Sequence, residues 1–151
     1  MTDPLPTVPP DARREARGRD AVLRMMRDDA ASGSLGITLV ELGEGSATVT
    51  MTVTPSMVNG HAIGHGGYVF LLADTAFACA CNSHGPVTVA AHAEITFVRP
   101  VRVGDLLTAR AVERQRWGRS GVCDVTVSSA DGVVAEFRGL SRTIERPADE
   151  T

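Results

Sequence analysis

A long apolar segment in the middle of the chain constrains the fold more than any other feature. Between Tyr68 and Cys81 almost every residue is apolar, but Asp74 interrupts the run. From Gly66 to Ser83 a helix would be about 25 Å long at ~1.5 Å per residue. Because this helix would be apolar nearly all round, it must be covered on more than one side. The segment therefore predicts a central helix that other parts of the chain surround.

The sequence on either side of this segment alternates as antiparallel strands do. In SATVTMTVTP, residues 46–55, small and apolar residues alternate with threonine, which indicates a strand with one buried face. ITLVELG before it completes a hairpin, and a helix from Asp11 to about Ala31 comes first. Four or so strand-like runs follow residue 90, with a strong hairpin dipeptide at Asp131-Gly132 and short connections that favour a meander. The pattern predicts an α+β fold, either a curved sheet around one long helix or a roll of another topology.

Composition and charge exclude several classes of function. The 151-residue chain has a net charge of −3 and only 4% aromatic residues, unlike a protein with a basic face or a base-stacking surface. No apolar run approaches the ~20 residues that a membrane span needs. The first twenty residues have no apolar core of the signal-peptide kind, and the odd number of cysteines, three, predicts reduced thiols. We therefore expect a cytoplasmic protein without a nucleic-acid or membrane partner.

The length and the distribution of proline predict one domain with two short ends. A chain of 151 residues is long enough to bury the core of one domain, and residues 1–10 hold four of the eight prolines. We expect residues 1–20 to be a flexible N-terminal extension, residues 21–145 a single domain and residues 146–151 a C-terminal tail.

Several motifs around the apolar segment resemble those of a known family. They are Asn59-Gly60, His65-Gly66-Gly67, Leu72-Ala73-Asp74-Thr75-Ala76 and Cys81-Asn82-Ser83, followed by ITFVRPVRVGDLLTARA and FRGLSRTI. Over about residues 33–144 the chain resembles the phenylacetate-degradation (PaaI-type) acyl-CoA thioesterases, which have the hotdog fold. The resemblance implies an enzyme that hydrolyses the thioester bond of acyl-CoA. It also implies (hydroxy)phenylacetyl or related aryl-acyl groups as the acyl class.

The same resemblance implies roles for individual residues. Asp74 is expected to be the catalytic carboxylate. A backbone N–H of the glycine pair, that of Gly66 in preference to that of Gly67, is expected to polarise the thioester carbonyl. Asn59 and His65 are expected to position the substrate or a water molecule, and Gly67 is expected to contact the substrate. All these positions carry the residue type that the family requires.

These residue types also suit the chemistry without reference to a family. A thioester carbonyl gains negative charge under attack, and the free N–H groups at the start of a helix are preorganised donors for it. Glycine lets an acyl group approach the backbone closely because it has no Cβ. The carboxylate of Asp74 can either attack the thioester directly or accept a proton from water, and the sequence leaves both mechanisms open.

The spacing of Gly66 and Asp74 predicts a shared active site. Eight residues along one helix separate these two by about 12 Å, too far for one carbonyl to contact both. We therefore expect a homodimer in which the glycine end of one subunit meets the aspartate of the other. The family resemblance agrees with this pairing and extends it to a homotetramer.

Arginines and histidines outside these motifs suggest further contacts. Four arginines at expected strand ends and turns suit the phosphates of coenzyme A, with Arg119 the first choice among Arg99, Arg102, Arg116 and Arg119. His61 and His65 have the spacing of a metal pair, but glycines surround them and no acid or thiol nearby completes a ligand set. We therefore predict neither a metal nor a cofactor.

Two other functions remain open at this stage. A hotdog enoyl-CoA hydratase would need a histidine–acid pair that the sequence does not show. A non-hydrolytic protein that binds or senses CoA esters would not need the aspartate, the glycine pair and the asparagine together.

Overall fold

The computed structural model describes residues 7–144. Its helices are α1 (Pro10–Asp28), α2 (Ala30–Ser34) and α3 (Gly66–Asn82), with a 3-10 turn at Pro55–Met57. Its strands are β1 (Thr38–Gly43), β2 (Ser46–Thr52), β3 (Thr88–Phe97), β4 (Leu106–Trp117), β5 (Ser120–Ser129) and β6 (Gly132–Thr143). The predicted succession of one helix, two strands, a central helix and further strands is confirmed. The predicted C-terminal tail lies outside the described residues.

The six strands form one antiparallel sheet in the order β1-β2-β4-β5-β6-β3. The meander predicted for the later strands holds for β4, β5 and β6. Strand β3, by contrast, leaves its sequence neighbour β4 and pairs with β6 at the far edge. Between β3 and β4 the chain thereby passes two intervening strands, β6 and β5.

Helix α3 packs against one face of this sheet, as its composition predicted. The inward positions of β5 are apolar or small and buried, and so are those of β2. Phe77 of α3 and Phe137 of β6 lie 5.8 Å apart between ring centroids, and both side chains are buried. A Cβ on Gly139 would lie 2.6 Å from the ring of Phe77, so β6 needs glycine there. All three cysteines are free and buried.

Helix α1 packs on the domain. Gly18 is buried and its Cα lies so close to the carbonyl of Ser83, after the end of α3, that a Cβ would overlap it. The proposed boundary between residues 20 and 21 therefore falls inside α1, which already contacts the domain at Gly18. Residues 1–6 of the predicted extension lie outside the described part of the chain.

Helix α1 ends at Asp28, three residues before the predicted limit at Ala31, and Asp29 follows as its C-cap. Its backbone is extended, and its side chain accepts a hydrogen bond from the N–H of Ser32, which caps the short helix α2. Ser32 in turn lies 2.9 Å from Thr75 of α3, measured between the two hydroxyl oxygens. With Gly18 against Ser83 and Ser32 against Thr75, α1 and α2 run along α3 in the opposite direction.

Strand β3 is the exposed edge of the sheet. Seven of its ten residues are exposed, Val89 and Phe97 among them. Within residues 7–144, only β6 pairs with it, so the backbone groups on its outer side have no strand partner. Such an edge is a template for pairing with another strand.

Candidate active site

Helix α3 begins at the glycine pair. His65 caps it, and its Nδ1 accepts a hydrogen bond of 2.9 Å from the N–H of Gly67. Within residues 7–144 the N–H of Gly66 donates no hydrogen bond. The helix therefore presents one open amide at its positive end, and that amide belongs to Gly66.

An aromatic ring lies directly over Gly66. A Cβ on Gly66 would lie 2.8 Å from Cζ of Phe97, so the residue has room for hydrogen only. Gly64, two residues earlier, packs in the same way against the side chain of Val101. Glycine at these positions is required by close approach, and it leaves the Gly66 amide accessible beside an aromatic side chain.

Asn59 organises the loop before α3. Its Oδ1 accepts hydrogen bonds from the N–H of His61 at 2.9 Å and of Ile63 at 3.4 Å. Its backbone N–H donates to the carbonyl of Ile63 at 2.8 Å. Because the side-chain oxygen is engaged in the loop, only the amide NH₂ of Asn59 is left for a ligand.

Asn59 and Gly66 line the same cleft. The cleft has a volume of about 400 Å³, and most of its walls are apolar. Its lining residues include Ile63, Val69, Phe97, Arg99, Val101 and Val134. Arg99 is held at the rim because its guanidinium donates a 2.7 Å hydrogen bond to the carbonyl of Asp131. This cleft could hold an apolar group next to the open amide.

Asp74 lies outside this cleft, in the middle of α3. The side chain is half-buried, and burial, followed by the negative charge of Asp29, raises the pKa of its carboxyl group above the ordinary value. Within residues 7–144 the carboxylate makes no hydrogen bond or ion pair. An unpaired, partly desolvated carboxylate is costly for a fold, which is typical of a functional group.

Gly66 and Asp74 lie in one row of half-buried positions along α3. Gly66, Phe70, Asp74 and Ala78 follow one another at four-residue intervals and are all half-buried, whereas most other positions of the helix are buried. Along this row the two functional residues remain about 12 Å apart at ~1.5 Å per residue. The chain therefore exposes both halves of the expected site without joining them.

Of the three remaining predicted ligands, two lie beside Gly66 and one lies far from it. His65 and Gly67 are next to Gly66, but they are engaged with each other. Arg119 is in the β4–β5 turn, where its carbonyl accepts a hydrogen bond from Thr143, the residue that pairs with Thr88 at the start of β3. Arg119 is thus at the opposite end of the sheet from Gly66, which lies under Phe97 at the end of β3.

A hydrogen-bonded chain beside Asp74 was missed by the sequence reasoning. The Ser32 hydroxyl donates to Asp29 Oδ2 at 2.6 Å and contacts the Thr75 hydroxyl at 2.9 Å. This chain ties α2 to the turn of α3 that carries Asp74 and places a second acid nearby. No sequence signal joined residues more than forty positions apart. Among the described residues, no cluster of three or more histidine, cysteine and acidic side chains could hold a metal ion.

The architecture defines the class of protein. A single antiparallel sheet wrapped around one long central helix is the hotdog fold, so this expectation is confirmed. Among residues 7–144, none of the helices combines the length and the apolar character needed to cross a membrane.

Comparison with known proteins shows the family. Residues 61–136 match the model of the thioesterase superfamily. The chain is 49% identical over 121 residues to the acyl-coenzyme A thioesterase PaaI of Escherichia coli, covering 80% of this chain and 86% of that protein. The chain therefore belongs to the thioesterase superfamily.

Solved structures agree with the sequence match. The structure of the E. coli PaaI protein superposes with a TM-score of 0.84 at 44% identity and covers 87% of this chain and 96% of that one. A mutant of the phenylacetic acid degradation protein PaaI from Thermus thermophilus superposes with a TM-score of 0.74 at 34% identity, over 77% and 100% of the two chains.

Proposed function

We propose that this protein hydrolyses the thioester bond of acyl-CoA. The observation that carries the proposal is the open N–H of Gly66, next to an apolar cleft and in the same half-buried row of α3 as Asp74. The amide and the carboxylate are the two groups that thioester hydrolysis needs. The match to an acyl-coenzyme A thioesterase over most of the chain supports the same reaction.

The geometry suggests a role for each group. The thioester carbonyl oxygen accepts the N–H of Gly66, which stabilises the negative charge that develops on it. Asp74 accepts a proton from water while the water oxygen attacks the carbonyl carbon. When the C–S bond breaks, the proton passes to the sulfur, and the acid and free coenzyme A leave. The pKa of Asp74 is raised towards neutral pH, which makes the carboxylate a stronger base and supports this general-base role.

Isotope labelling separates this role from direct attack by Asp74. A single turnover in H₂¹⁸O should place the label in the released acid and none in Asp74, as measured by mass spectrometry of the product and of the peptide that carries Asp74. If Asp74 were the nucleophile and water then attacked the Asp74 carbonyl carbon of the mixed anhydride, the first turnover would label the aspartate and leave the acid unlabelled, so label in Asp74 would contradict the general-base role.

A homodimer would complete the site. The two groups lie about 12 Å apart on one helix at ~1.5 Å per residue. The free edge of β3 offers a surface on which a second copy could continue the sheet. A two-fold axis at this edge would turn the partner's helix antiparallel and bring its glycine end to Asp74. A homotetramer and a cytoplasmic location, both expected from the sequence, belong to this proposal.

Mixed dimers test the shared site. Asp74→Ala subunits should be inactive alone, and so should subunits with Gly66→Trp, whose side chain has no room under Phe97. The heterodimer, obtained by co-expression and purification, has one site with both wild-type groups. It should therefore show about half of the wild-type activity. If the heterodimer is as inactive as its parents while remaining dimeric, the two groups do not act across subunits.

The apolar cleft favours an aromatic acyl group. Its volume of about 400 Å³ and its apolar lining beside Gly66 suit a phenylacetyl or hydroxyphenylacetyl group. The involvement of the T. thermophilus relative in phenylacetic acid degradation points to the same class.

A thiol-release assay with purified protein tests both the reaction and the acyl class. A thiol reagent and a panel of phenylacetyl-, hydroxyphenylacetyl-, short-chain and long-chain acyl-CoA esters should give the highest kcat/KM for the aryl-acetyl esters. Equal rates across the panel would contradict the aryl preference. No thiol release from any ester, with binding retained, would contradict hydrolysis.

A further inference from the structure

A groove rich in arginine lies along helix α1, far from the glycine end of α3. It has a volume of about 830 Å³ and runs between α1 and the Gly85-Pro86 turn that follows α3. Four arginines line it, with a single acid, Asp20, among the lining residues. They are Arg13, Arg14, Arg17 and Arg24.

Two of these arginines have no partner in the described part of the chain. Arg14 pairs with Glu44 at 3.2 Å, and Arg13 donates to the carbonyl of Val8 at 2.9 Å. Within residues 7–144, Arg17 and Arg24 make no hydrogen bond or ion pair. They are seven residues apart, two helical turns, and therefore face the same side. This pair of free guanidinium groups in a groove favours an anion with more than one phosphate.

The groove does not end at the arginines. A second cleft of about 770 Å³ shares Ala21, Arg24 and Gly85 with the first and continues past Met25 and Asp28. It reaches Val89 on the free edge strand β3. An extended ligand can therefore run from Arg17 towards the edge where the partner subunit is proposed to pair.

Because α1 runs antiparallel to α3, the positions of these arginines relative to Asp74 can be counted along α1 from Asp29. Asp29 lies beside the turn of α3 that carries Asp74, since Ser32 contacts both Asp29 and Thr75. Counted back from Asp29 along α1, Arg24 is about 8 Å away and Arg17 about 18 Å at ~1.5 Å per residue.

The length of coenzyme A matches this interval. From its sulfur to its first phosphorus the pantetheine arm has about thirteen bonds, equivalent to a little over four extended residues, and so spans roughly 15 Å. With the sulfur at Asp74, the phosphates would lie between Arg24 and Arg17.

We propose that Arg17 and Arg24 of α1 bind the phosphate groups of the acyl-CoA whose thioester lies at Asp74 of the same chain. The inference rests on the proposed thioesterase function. It assigns recognition of the nucleotide end to α1 and not to the β4–β5 turn that carries Arg119.

Paired substrates test this assignment. The double variant Arg17→Glu/Arg24→Glu is assayed with phenylacetyl-CoA and with phenylacetyl-pantetheine, which has no phosphate. For the CoA ester, KM should rise about 10- to 100-fold with kcat nearly unchanged, because hydrogen bonds to charged groups are lost. For the pantetheine ester both constants should stay as in the wild type. Arg17→Lys/Arg24→Lys should recover most of the affinity.

Two controls make the result specific. Arg19→Glu makes the same charge reversal at one position of α1 outside the groove and should leave KM within about twofold, since exposed charges away from a site have small effects. Arg119→Glu tests the alternative phosphate contact. A rise in KM for the CoA ester with Arg119→Glu but not with the double variant would overturn the assignment.

A binding measurement separates this inference from the proposed function. Calorimetric titration with coenzyme A should give a weaker Kd for the double variant by the same factor, whether or not the protein turns over a thioester. If the double variant binds coenzyme A more weakly and the wild type hydrolyses no thioester, the proposed function is contradicted and the phosphate site is supported. Wild-type hydrolysis with an unchanged Kd for the double variant would refute the phosphate site.

Discussion

The two ends of helix α3 differ in how far their polar groups are hydrogen-bonded. At the amino end, the N–H of Gly66 is left open beside an apolar cleft. At the carboxyl end, the polar groups are engaged. The Asn82 side chain accepts from the N–H of Thr88 at 3.0 Å and donates to the carbonyls of Ala78 and Thr88, both at 2.9 Å.

Two more residues close the carboxyl end. The Ser83 hydroxyl donates to the carbonyl of Ala80 at 2.6 Å and accepts from the N–H of Gly45 at 2.8 Å. His84 Nε2 lies 2.9 Å from the carboxylate of Glu113. The same helix thus uses one end for stability, where the side chains of Asn82, Ser83 and His84 are hydrogen-bonded, and leaves the first amide at the other end open, where a ligand can supply the missing partner.

Asp74 lies between these ends and should have the largest effect on activity. Asp74→Asn keeps the size of the side chain but removes its basicity, so kcat should fall about 10²- to 10⁴-fold. The thiol-release assay measures the fall, and circular dichroism confirms that the fold is kept. An activity above a tenth of the wild-type value would remove Asp74 from the mechanism.

Asn82 tests the stability of the carboxyl end. Asn82→Ala removes three hydrogen bonds, two of them buried, and leaves backbone groups of Thr88 without the Asn82 side chain, so the free energy of unfolding should fall by about 2–4 kcal/mol. Urea denaturation gives the value. The exposed amide of Gln115, which donates only to the carbonyl of Arg116 at 3.3 Å, is the matched control, and Gln115→Ala should cost less than about 0.5 kcal/mol. Equal losses for the two variants would show that this end is not specially stabilised.

Gly66 tests the amino end with a smaller expected effect. Gly66→Ala keeps the N–H but adds a methyl group where the acyl carbonyl must approach, so kcat/KM should fall about 10- to 100-fold with little change in stability. Because that methyl group would also press on Phe97, the double variant Gly66→Ala/Phe97→Ala is the control. We expect it to stay impaired. Recovery of activity in the double variant would mean that displacement of Phe97, and not crowding of the carbonyl, causes the loss.

The pH dependence should show the smallest effect, again centred on Asp74. Burial raises the pKa of this carboxyl group in the folded state, so the ionised form is disfavoured by folding. Above the folded-state pKa, Asp74 therefore lowers stability by its full amount, and below the ordinary value of 3.8 the effect vanishes because both states are protonated. Asp74→Asn should stabilise the protein at pH 7 and lose this advantage at pH 3. A difference that is the same at both pH values would contradict the raised pKa.

Much of the fold could be predicted because it depends on local patterns. The apolar run predicted α3, and the alternation of valine and threonine predicted β2, since each side chain's burial follows from the period of its own element. The position of β3 beside β6 could not be predicted. It depends on contacts between residues some forty-five positions apart, such as Ile95 with Phe137, which no local pattern encodes.

The candidate site divides in a similar way. The sequence identified Gly66 and Asp74 as the expected amide donor and carboxylate. The reason that the amide of Gly66 and not that of Gly67 is open could not be predicted, because only the folded loop shows His65 Nδ1 accepting from the N–H of Gly67. Asp29 and Arg17 gave no signal, since their importance depends on α1 lying antiparallel to α3.

By itself, the amino-acid sequence determined that one apolar helix must be covered by an antiparallel sheet and that it carries an acid at its centre. These properties follow from hydrophobic periodicity and side-chain chemistry, which are local. Only the tertiary structure decided that Gly66 and Asp74 share a half-buried row of α3, that the first amide of α3 stays open and that Arg17 and Arg24, unpaired within residues 7–144, line a groove along α1. Those properties arise from packing between distant segments, where a neighbour's distance and direction decide whether a polar group is satisfied or left for a ligand.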